Sequence, residues 1–260
     1  LIRYALPKFA FSLCVYFKNM KHISNYREKK LSRLFLAVSF CMVTLASCEV
    51  DNFDGPNASI SGAVRDIKDG SLIEQDIENG SKIIYKELGW EVSEEQQMIF
   101  KVNGEYRNDL MFVADYDIYF NESNFVKPDT LKAYRVKKGD NTLNFDVQPY
   151  IRVSNASVRQ EGENIIASFT ITPTVENKVK EVGVFGHIDR IAGNQFALDK
   201  KVENVNRSFK DRGETFTLNL STSSFKKGET YYFRVGALID VPNAKYNYAP
   251  VSYTHLRAHE

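Results

Sequence analysis

Short runs of β-branched and aromatic residues, separated by Gly, Asn and Asp, dominate the chain from residue 58 onward. β-Branched and aromatic residues favour strands, whereas Gly, Asn and Asp favour turns. No convincing amphipathic helical period interrupts this pattern. The sequence therefore predicts an all-β fold made of two consecutive β-sandwich domains. The expected strands are 58–66, 82–87, 97–102, 106–110, 115–120, 130–136, 142–147, 151–157, 164–172, 181–189, 215–220, 231–238 and a last strand that begins at Tyr246 and runs past Pro250.

The strands divide into two blocks, at 58–148 and 149–250. The first block contains SGAVRD and later KVNGEY, and it resembles the transthyretin-like or carboxypeptidase-regulatory β-sandwich. Asn103-Gly104 is a strong hairpin signal, so we expect the runs on either side of it to pair with each other. The second block has the strand spacing of a fibronectin-type-III-like or immunoglobulin-like sandwich. Tyr231 stands where such a module has its corner tyrosine.

The apolar run 34–46 is shorter than the roughly 20 residues that a membrane-spanning helix needs. Basic residues precede the run and small residues follow it, which is the layout of a secretory signal peptide. The sequence LASC, ending at Cys48, also resembles a bacterial lipobox, in which the cysteine is lipidated. The alternative is an ordinary cleaved signal with an incidental cysteine. We expect a lipoprotein signal peptide at 20–47, lipidation at Cys48 and a polar tether at 48–57.

The two ends of the chain look foreign to the mature protein. Residues 1–19 precede Met20, the natural start of the signal peptide, and are interpreted as translated upstream sequence. Residues 251–260, VSYTHLRAHE, resemble a translated sequencing adapter, and the alternative is a genuine C-terminal strand. On the adapter interpretation the native protein continues beyond Pro250. An interrupted last strand would then lower stability, because it leaves backbone groups unpaired.

Charge and composition exclude several classes of function. The whole chain carries 34 basic and 33 acidic residues. Without 1–47 and 251–260, nine basic and two acidic residues are lost, which leaves 25 basic and 31 acidic and a net charge of −6. No basic stripe suggests nucleic-acid binding. Cys48 is the only cysteine and His187 the only histidine that remain, so no disulfide, Cys–His pair or Cys/His zinc site can form within the mature chain. No catalytic residue, metal ion or cofactor is therefore expected.

Four stretches together resemble one family of lipoproteins, named domain of unknown function 3823. They are DNFDGPNA at 51–58, NGSKI at 79–83, ELGW at 87–90 and FDVQPYIRV at 145–153. Such lipoproteins occur in Bacteroidetes-type bacteria, beside genes for SusC/SusD-like outer-membrane glycan importers. The resemblance covers about 48–250 and supplies no binding residue.

The resemblance implies a non-catalytic accessory protein of polysaccharide uptake that binds glycan. It would be lipid-anchored in the outer membrane, face the cell exterior, and have a polysaccharide or oligosaccharide and SusC/SusD-like proteins as partners. Two alternatives remain. One is a structural spacer or scaffold subunit of the outer-membrane complex that does not touch sugar, and the other is an enzyme.

Aromatic rings that could stack on sugars are few. Trp90, the only tryptophan, stands at the start of a polar stretch, and its alternative role is packing. Tyr116 and Tyr119 are three residues apart on one strand, so we expect at most one of them to be exposed. Tyr246 and Tyr248 alternate with asparagines and share a face, so they form a second candidate, whose alternative is edge-strand packing. Trp90, Tyr116, Tyr246 and Tyr248 are thus the glycan-contact candidates.

The remaining candidates are polar. Asp115 and Asp117 share a strand face, but we interpret them as solvated carboxylates rather than as the acid pair of a glycosidase. Glu122 could join them in a calcium site, although no loop of the calcium-binding pattern supports it. Thr130 lies in the sequence Asp129-Thr130-Leu131, which matches the pattern that these bacteria O-glycosylate. His187 is expected to be a half-buried strand residue without a catalytic role.

Overall fold

A computed structural model describes residues 55–250 and the backbone of strand 252–255. The predicted signal peptide, Cys48 and most of the predicted tether lie outside the described residues, as do residue 251 and residues 256–260. The described part contains sixteen strands and a short 3₁₀ turn, and no helix there has the length and apolar character needed to cross a membrane. The strands are β1 (Ala58–Asp66), β2 (Lys82–Glu87), β3 (Glu95–Ile99), β4 (Glu105–Met111), β5 (Asp115–Phe120), β6 (Leu131–Arg135), β7 (Gly139–Thr142), β8 (Phe145–Val147), β9 (Ile151–Glu161), β10 (Asn164–Pro173), β11 (Val179–His187), β12 (Asp199–Arg207), β13 (Glu214–Ser221), β14 (Thr230–Ile239), β15 (Asn247–Tyr248) and β16 (Ser252–His255).

The first sandwich packs two four-stranded sheets against each other. One has the order β4-β1-β7, with β8 continuing along β1 beyond β7, and the other has the order β3-β2-β5-β6. Strand β1 pairs with β7 and β8 in parallel and with β4 in antiparallel fashion. Alternate residues of β5 face inward, and Phe120 at its end meets the edges of Phe125 and Phe145, each with ring centres 5.0 Å apart. The aromatic content of this block therefore forms its core.

The predicted hairpin between β3 and β4 is wrong. The Asn-Gly turn forms, since Gly104 N donates to Lys101 O at 2.9 Å, but β3 pairs with β2 and β4 pairs with β1 in the opposite sheet. The chain crosses between the sheets here because Phe100 is buried between them. Gly104 makes the crossing possible, since its φ is +81° and a Cβ would lie 2.3 Å from Ile73 O.

The second sandwich has a three-stranded sheet, β13-β10-β9, and a five-stranded sheet, β12-β11-β14-β15, with β16 also paired to β14. Strands β10, β11 and β14 supply most of its core. The Tyr231 hydroxyl accepts a hydrogen bond at 3.0 Å from Lys226 N, five residues earlier, which is corner-tyrosine geometry. The expected all-β fold of two β-sandwiches is thus confirmed, although strand β12 was not predicted.

The end of the second sandwich follows the expected path beside β14. Both β15 and β16 pair with β14, at Gly236–Ala237 and at Thr230–Phe233. The adapter interpretation of 251–260 stays a prediction, because a short segment can pair with an open strand edge whatever its origin.

Candidate functional site

The two sandwiches, which belong to one compact unit, meet at an interdomain seam centred on Asn124. This residue follows β5 and is fully buried. Its side-chain nitrogen donates to the backbone oxygens of Glu74, in the first sandwich, and of Tyr246, in the second, at 2.9 and 3.1 Å. Its side-chain oxygen accepts from Gln75 at 2.9 Å and from the Ser81 hydroxyl at 3.2 Å. One amide group therefore joins the two domains.

The backbone of Asn124 completes the seam. Its carbonyl oxygen accepts from Tyr150 N at 3.0 Å and from the Asn247 side chain at 2.8 Å. Asn247 in turn accepts a hydrogen bond from Ile151 N at 3.1 Å. In the described part of the chain no buried side-chain nitrogen or oxygen lacks a partner. The seam is thus polar and fully satisfied, which rigidifies a junction of this kind.

Arg234 of β14 extends into the seam and is only 1% exposed. Its guanidinium donates to Glu74 Oε2 at 2.8 Å, to Gln75 O at 2.7 Å and to Ala249 O at 3.2 Å. Burial lowers the pKa of Arg234, and the charge of Glu74 opposes that change. Burial likewise raises the pKa of Glu74 above its ordinary value, against the attraction of Arg234. The pair is therefore a buried interdomain ion pair.

A cleft of about 730 Å³ opens beside the seam, between the two sandwiches. Arg152 of β9 closes one side of it by a two-point ion pair with Asp66 at the end of β1, with distances of 2.6 and 2.9 Å. The hydrogen bond with Asp66 raises the pKa of Arg152. The lining is half polar and half apolar, and its polar side chains include Asp66, Asp69, Ser71, Arg152, Ser154 and Asp211. Binding sites commonly lie at domain boundaries and combine a concave shape with converging polar groups.

The prediction that Tyr246 and Tyr248 form an exposed aromatic pair is wrong. Each is only 6% exposed, and the rings stack with centres 5.5 Å apart. The Tyr246 hydroxyl donates to Glu181, and the Arg234 guanidinium lies 4.2 Å from the centre of the Tyr248 ring. The Tyr248 hydroxyl donates to Asp76. Because the last strand turns into the seam, both rings are packing residues and present no free face to a sugar.

Tyr116 was a second candidate platform, and burial excludes it. It is 1% exposed, and its hydroxyl donates to Phe112 O at 3.1 Å. Tyr119, on the other face of β5, is half-exposed, as the alternation of strand residues requires. Its hydroxyl donates to Glu95.

Trp90 is the one aromatic candidate whose exposure suits a binding role, since it is 65% exposed. It lies in the loop between β2 and β3, and its indole nitrogen donates to Glu87 Oε1 at 2.9 Å. This loop is at the end of the first sandwich that points away from the cleft. Sequence reasoning therefore identified an exposed ring, but the structure does not bring it together with the other candidates.

The polar candidates remain separate side chains. Asp117 is held by Lys132 at 2.7 Å, and this hydrogen bond lowers the pKa of Asp117. Asp115 lies 3.5 Å from Arg135. No group of three or more potential metal ligands converges in the described residues, so no calcium site forms there with Glu122. Thr130 is half-exposed just before β6, and O-glycosylation of it stays a prediction.

Both halves of the chain match one family. Residues 58–148 match the N-terminal domain described as "Protein of unknown function (DUF3823)", and residues 151–253 match "Domain of unknown function (DUF3823_C)". The chain belongs to the DUF3823 family. This membership confirms the resemblance seen in the sequence. Among curated proteins none matches the chain.

Solved structures similar to this DUF3823 chain come from species of Bacteroides and Parabacteroides. One from Bacteroides uniformis, described as a "putative carbohydrate binding protein", is 35% identical, with a TM-score of 0.70 over 78% of this chain and 100% of that one. A DUF3823 protein from the same species is 17% identical, with a TM-score of 0.67 over 77% and 100%. Another from Parabacteroides merdae is 20% identical, with a TM-score of 0.64 over 77% and 99%. The last two show the shared fold.

The residues that build the cleft and the seam of this DUF3823 chain were missed by sequence reasoning. Arg234 offered a signal, because it interrupts the apolar run YYFRVGAL, and a charge in such a strand must be paired if it is buried. Asp66 and Arg152 offered none. They are 86 residues apart, and the sequence around each residue does not indicate that the other is its ion-pair partner.

Proposed function

We propose that the protein is a lipoprotein of the outer membrane, anchored through Cys48, that binds glycan at the cell exterior for a SusC/SusD-type importer. The observation that carries the glycan-binding role is the interdomain cleft of about 730 Å³, whose lining combines polar and apolar groups. A family relative that is 35% identical is described as a "putative carbohydrate binding protein", which supports the same role. The anchor and the importer rest on the lipobox-like LASC sequence and on the family resemblance.

The cleft offers the hydrogen-bonding groups that sugar hydroxyls need. The guanidinium of Arg152 uses Nε and Nη2 on Asp66, and its Nη1 takes no part in that ion pair. Asp69 and Asp211 supply carboxylate acceptors at the same cleft. Both carboxylates act on Arg152 electrostatically, together with Asp66. A sugar with neighbouring hydroxyls could therefore bridge donor and acceptor groups that the fold already holds in place.

The carboxylates of the cleft favour binding over hydrolysis. Glycoside hydrolysis needs one carboxylic acid with a raised pKa that is free to protonate the leaving group. The pKa of Asp69 is lowered, first by a hydrogen bond with the Ser71 side chain. Glu74 has a raised pKa, but its carboxylate is held by Arg234 at 2.8 Å. We therefore propose a non-catalytic role.

The test is calorimetry of the wild-type protein against a panel of polysaccharides and oligosaccharides, followed by two substitutions on β9. Ser154 lines the cleft, whereas Ser157 is exposed on the same strand outside it. Ser154→Trp should fill part of the cleft and weaken binding by about tenfold or more, a loss of at least ~1.4 kcal/mol. Ser157→Trp should leave binding unchanged. If Trp90→Ala abolishes binding and Ser154→Trp does not, the glycan site is at Trp90 and the cleft assignment is wrong.

A rigid spacer is the second candidate function, and the interdomain seam favours it. The buried Arg234–Glu74 pair and the hydrogen bonds of Asn124 would hold two domains at a fixed angle without any ligand. A flat calorimetric response to every glycan, combined with co-purification of the importer, would support the spacer. Such a result would contradict the glycan-binding proposal.

A further inference from the structure

Exposed apolar side chains concentrate at one end of the first sandwich. Twelve large apolar residues are exposed in the described part of the chain, and six of them lie in the loop after β2 or around the turn from β4 to β5. We call these six the apolar end, and they are Leu88, Trp90, Val92, Leu110, Phe112 and Val113. A contiguous cluster of exposed apolar side chains often marks a contact surface, whereas single scattered ones do not.

Backbone contacts hold the two segments of the apolar end side by side. Leu88 N donates to Asp115 O at 2.8 Å, and the Tyr116 hydroxyl joins Phe112 O to the Glu87 carboxylate, at 3.1 and 3.3 Å. The Trp90 indole nitrogen bonds to the same Glu87. The exposed side chains therefore project from one ordered surface.

The apolar end is opposite the second sandwich. Strand β1 begins at Ala58, which pairs with Met111 at the apolar end, and finishes at Asp66, which binds Arg152 across the cleft. Nine extended residues span about 30 Å. Glycan in the cleft and a contact at the apolar end would thus be on opposite sides of one domain.

The chain enters the first sandwich at the apolar end. Asn57 N donates to Met111 O at 3.1 Å, and Gly139 N donates to Asn57 O at 3.0 Å. Cys48 lies seven residues before Gly55 in the sequence. Seven residues reach at most about 25 Å even when fully extended. A lipid on Cys48 would therefore keep the apolar end close to the membrane surface.

We propose that the apolar end rests on the lipid surface in which Cys48 is anchored, with Trp90 in the headgroup layer; this rests on the anchor in the proposed function. Tryptophan favours the interface between membrane and water, where its ring is apolar and its N–H is polar. Exposed Lys137 and Lys138, beside Gly139, are placed to meet anionic headgroups. Exposed Glu91, between Trp90 and Val92, limits the contact to interfacial depth.

This contact would give the protein a second attachment to the membrane besides its lipid. It would also fix the orientation of the molecule on the membrane. The cleft would then be held away from the bilayer, where it is accessible to a long glycan.

Trp90 makes the proposal directly measurable, because it is the only tryptophan in the chain. The lipidated protein would be reconstituted into vesicles of phosphatidylethanolamine and phosphatidylglycerol, with and without brominated acyl chains. We expect the bromine to reduce the emission of Trp90 by about twofold or more and the emission maximum to shift to shorter wavelength. The matched control is the Trp90→Phe, Ile188→Trp double variant, whose tryptophan replaces an exposed residue of the second sandwich and should not be quenched.

The outcomes separate the contact from the anchor. If the protein remains bound to vesicles but Trp90 is not quenched, the apolar end does not rest on lipid, and the anchor proposal stands. If lipidation at Cys48 is absent and Cys48→Ser does not change vesicle binding, the anchor fails and the proposal fails with it.

Discussion

Arg234 and Glu74 form an ion pair at 2.8 Å across the junction of the two sandwiches, although 160 residues separate them in the chain. The guanidinium is almost fully buried and also lies over the Tyr248 ring. Burial of a charge is costly, and here that cost is offset by hydrogen bonds to Glu74 and to backbone oxygens of both domains. The arrangement therefore requires the two domains to be in place together.

Removing the Arg234 charge should destabilise the whole protein. Arg234→Met keeps much of the side-chain volume but leaves the half-buried Glu74 carboxylate without its partner, and we expect a loss of about 3–5 kcal/mol in the free energy of unfolding. Urea denaturation would measure it. Lys132→Met is the control, because the Lys132–Asp117 pair is at the surface and should contribute under about 1 kcal/mol. Equal losses in the two variants would show that the buried pair is not a principal interdomain interaction.

Two glycines with nearly the same φ test the crossing between the sheets. Gly104 and Gly139 have φ of +81° and +83°, but only at Gly104 would a Cβ meet the backbone, 2.3 Å from Ile73 O. Gly139→Ala should cost about 1–2 kcal/mol, the usual penalty of a left-handed residue with a side chain. Gly104→Ala should cost clearly more, because the Ile73 carbonyl must also move. Thermal unfolding of both variants measures the difference, and similar melting temperatures would contradict the close approach.

Local sequence predicted most strands and failed where the partner of a strand was decided by burial. Strands β1, β2 and β5 have the predicted limits. The turn between β3 and β4 was recognised, but the two strands belong to different sheets. The local sequence does not show that Phe100 is buried between those sheets. Strand β12 was missed because its sequence, DKKVENVNR, contains only two apolar residues. The strand lies at the edge of its sheet and is therefore largely polar.

The candidate site was less predictable than the fold, because the contacts that build it join distant residues. Exposed aromatic residues and buried ones look alike in sequence, so Trp90 and Tyr116 were ranked together. Their surroundings differ because Tyr116 alternates inward on β5 while Trp90 lies in a loop. Tyr246 and Tyr248 were candidates for sugar contact, with edge-strand packing as the alternative. The backbone oxygen of Tyr246 accepts a hydrogen bond from the seam residue Asn124, so this segment lies between the domains.

Loss of the Asn124 side chain should uncouple the domains. Asn124→Leu has nearly the same size, but it removes the side-chain donor to the backbone oxygens of Glu74 and Tyr246 and the acceptor of one of the two Gln75 amide hydrogens. Each unsatisfied buried group costs about 1–3 kcal/mol. We expect the wild-type protein to unfold in one calorimetric transition and the variant to unfold in two. A single transition with only a lower midpoint would show that the remaining contacts suffice to couple the sandwiches.

High pH should destabilise the protein through its buried tyrosines. Burial is the main cause that raises the pKa of Tyr106, Tyr116, Tyr246 and Tyr248 above the ordinary value of 10. The folded state therefore retains these phenol protons more strongly than the unfolded state does. Their stabilising effect is complete below pH 10 and is lost as the pH rises above 10 toward the folded pKa values.

Absorbance at 295 nm, which follows tyrosinate, and circular dichroism would be recorded together between pH 8 and pH 13 in small steps. Part of the tyrosinate signal should appear only when the fold is lost. In Tyr246→Phe, the free energy of unfolding should fall less steeply above pH 10. The slope should decrease by up to about 1.4 kcal/mol per pH unit, because the variant lacks one phenol proton that the folded state retains and the unfolded state releases. If all tyrosines ionised near pH 10 while circular dichroism still reported a folded protein, the buried hydroxyl groups of the seam and the first core would have to be accessible to solvent.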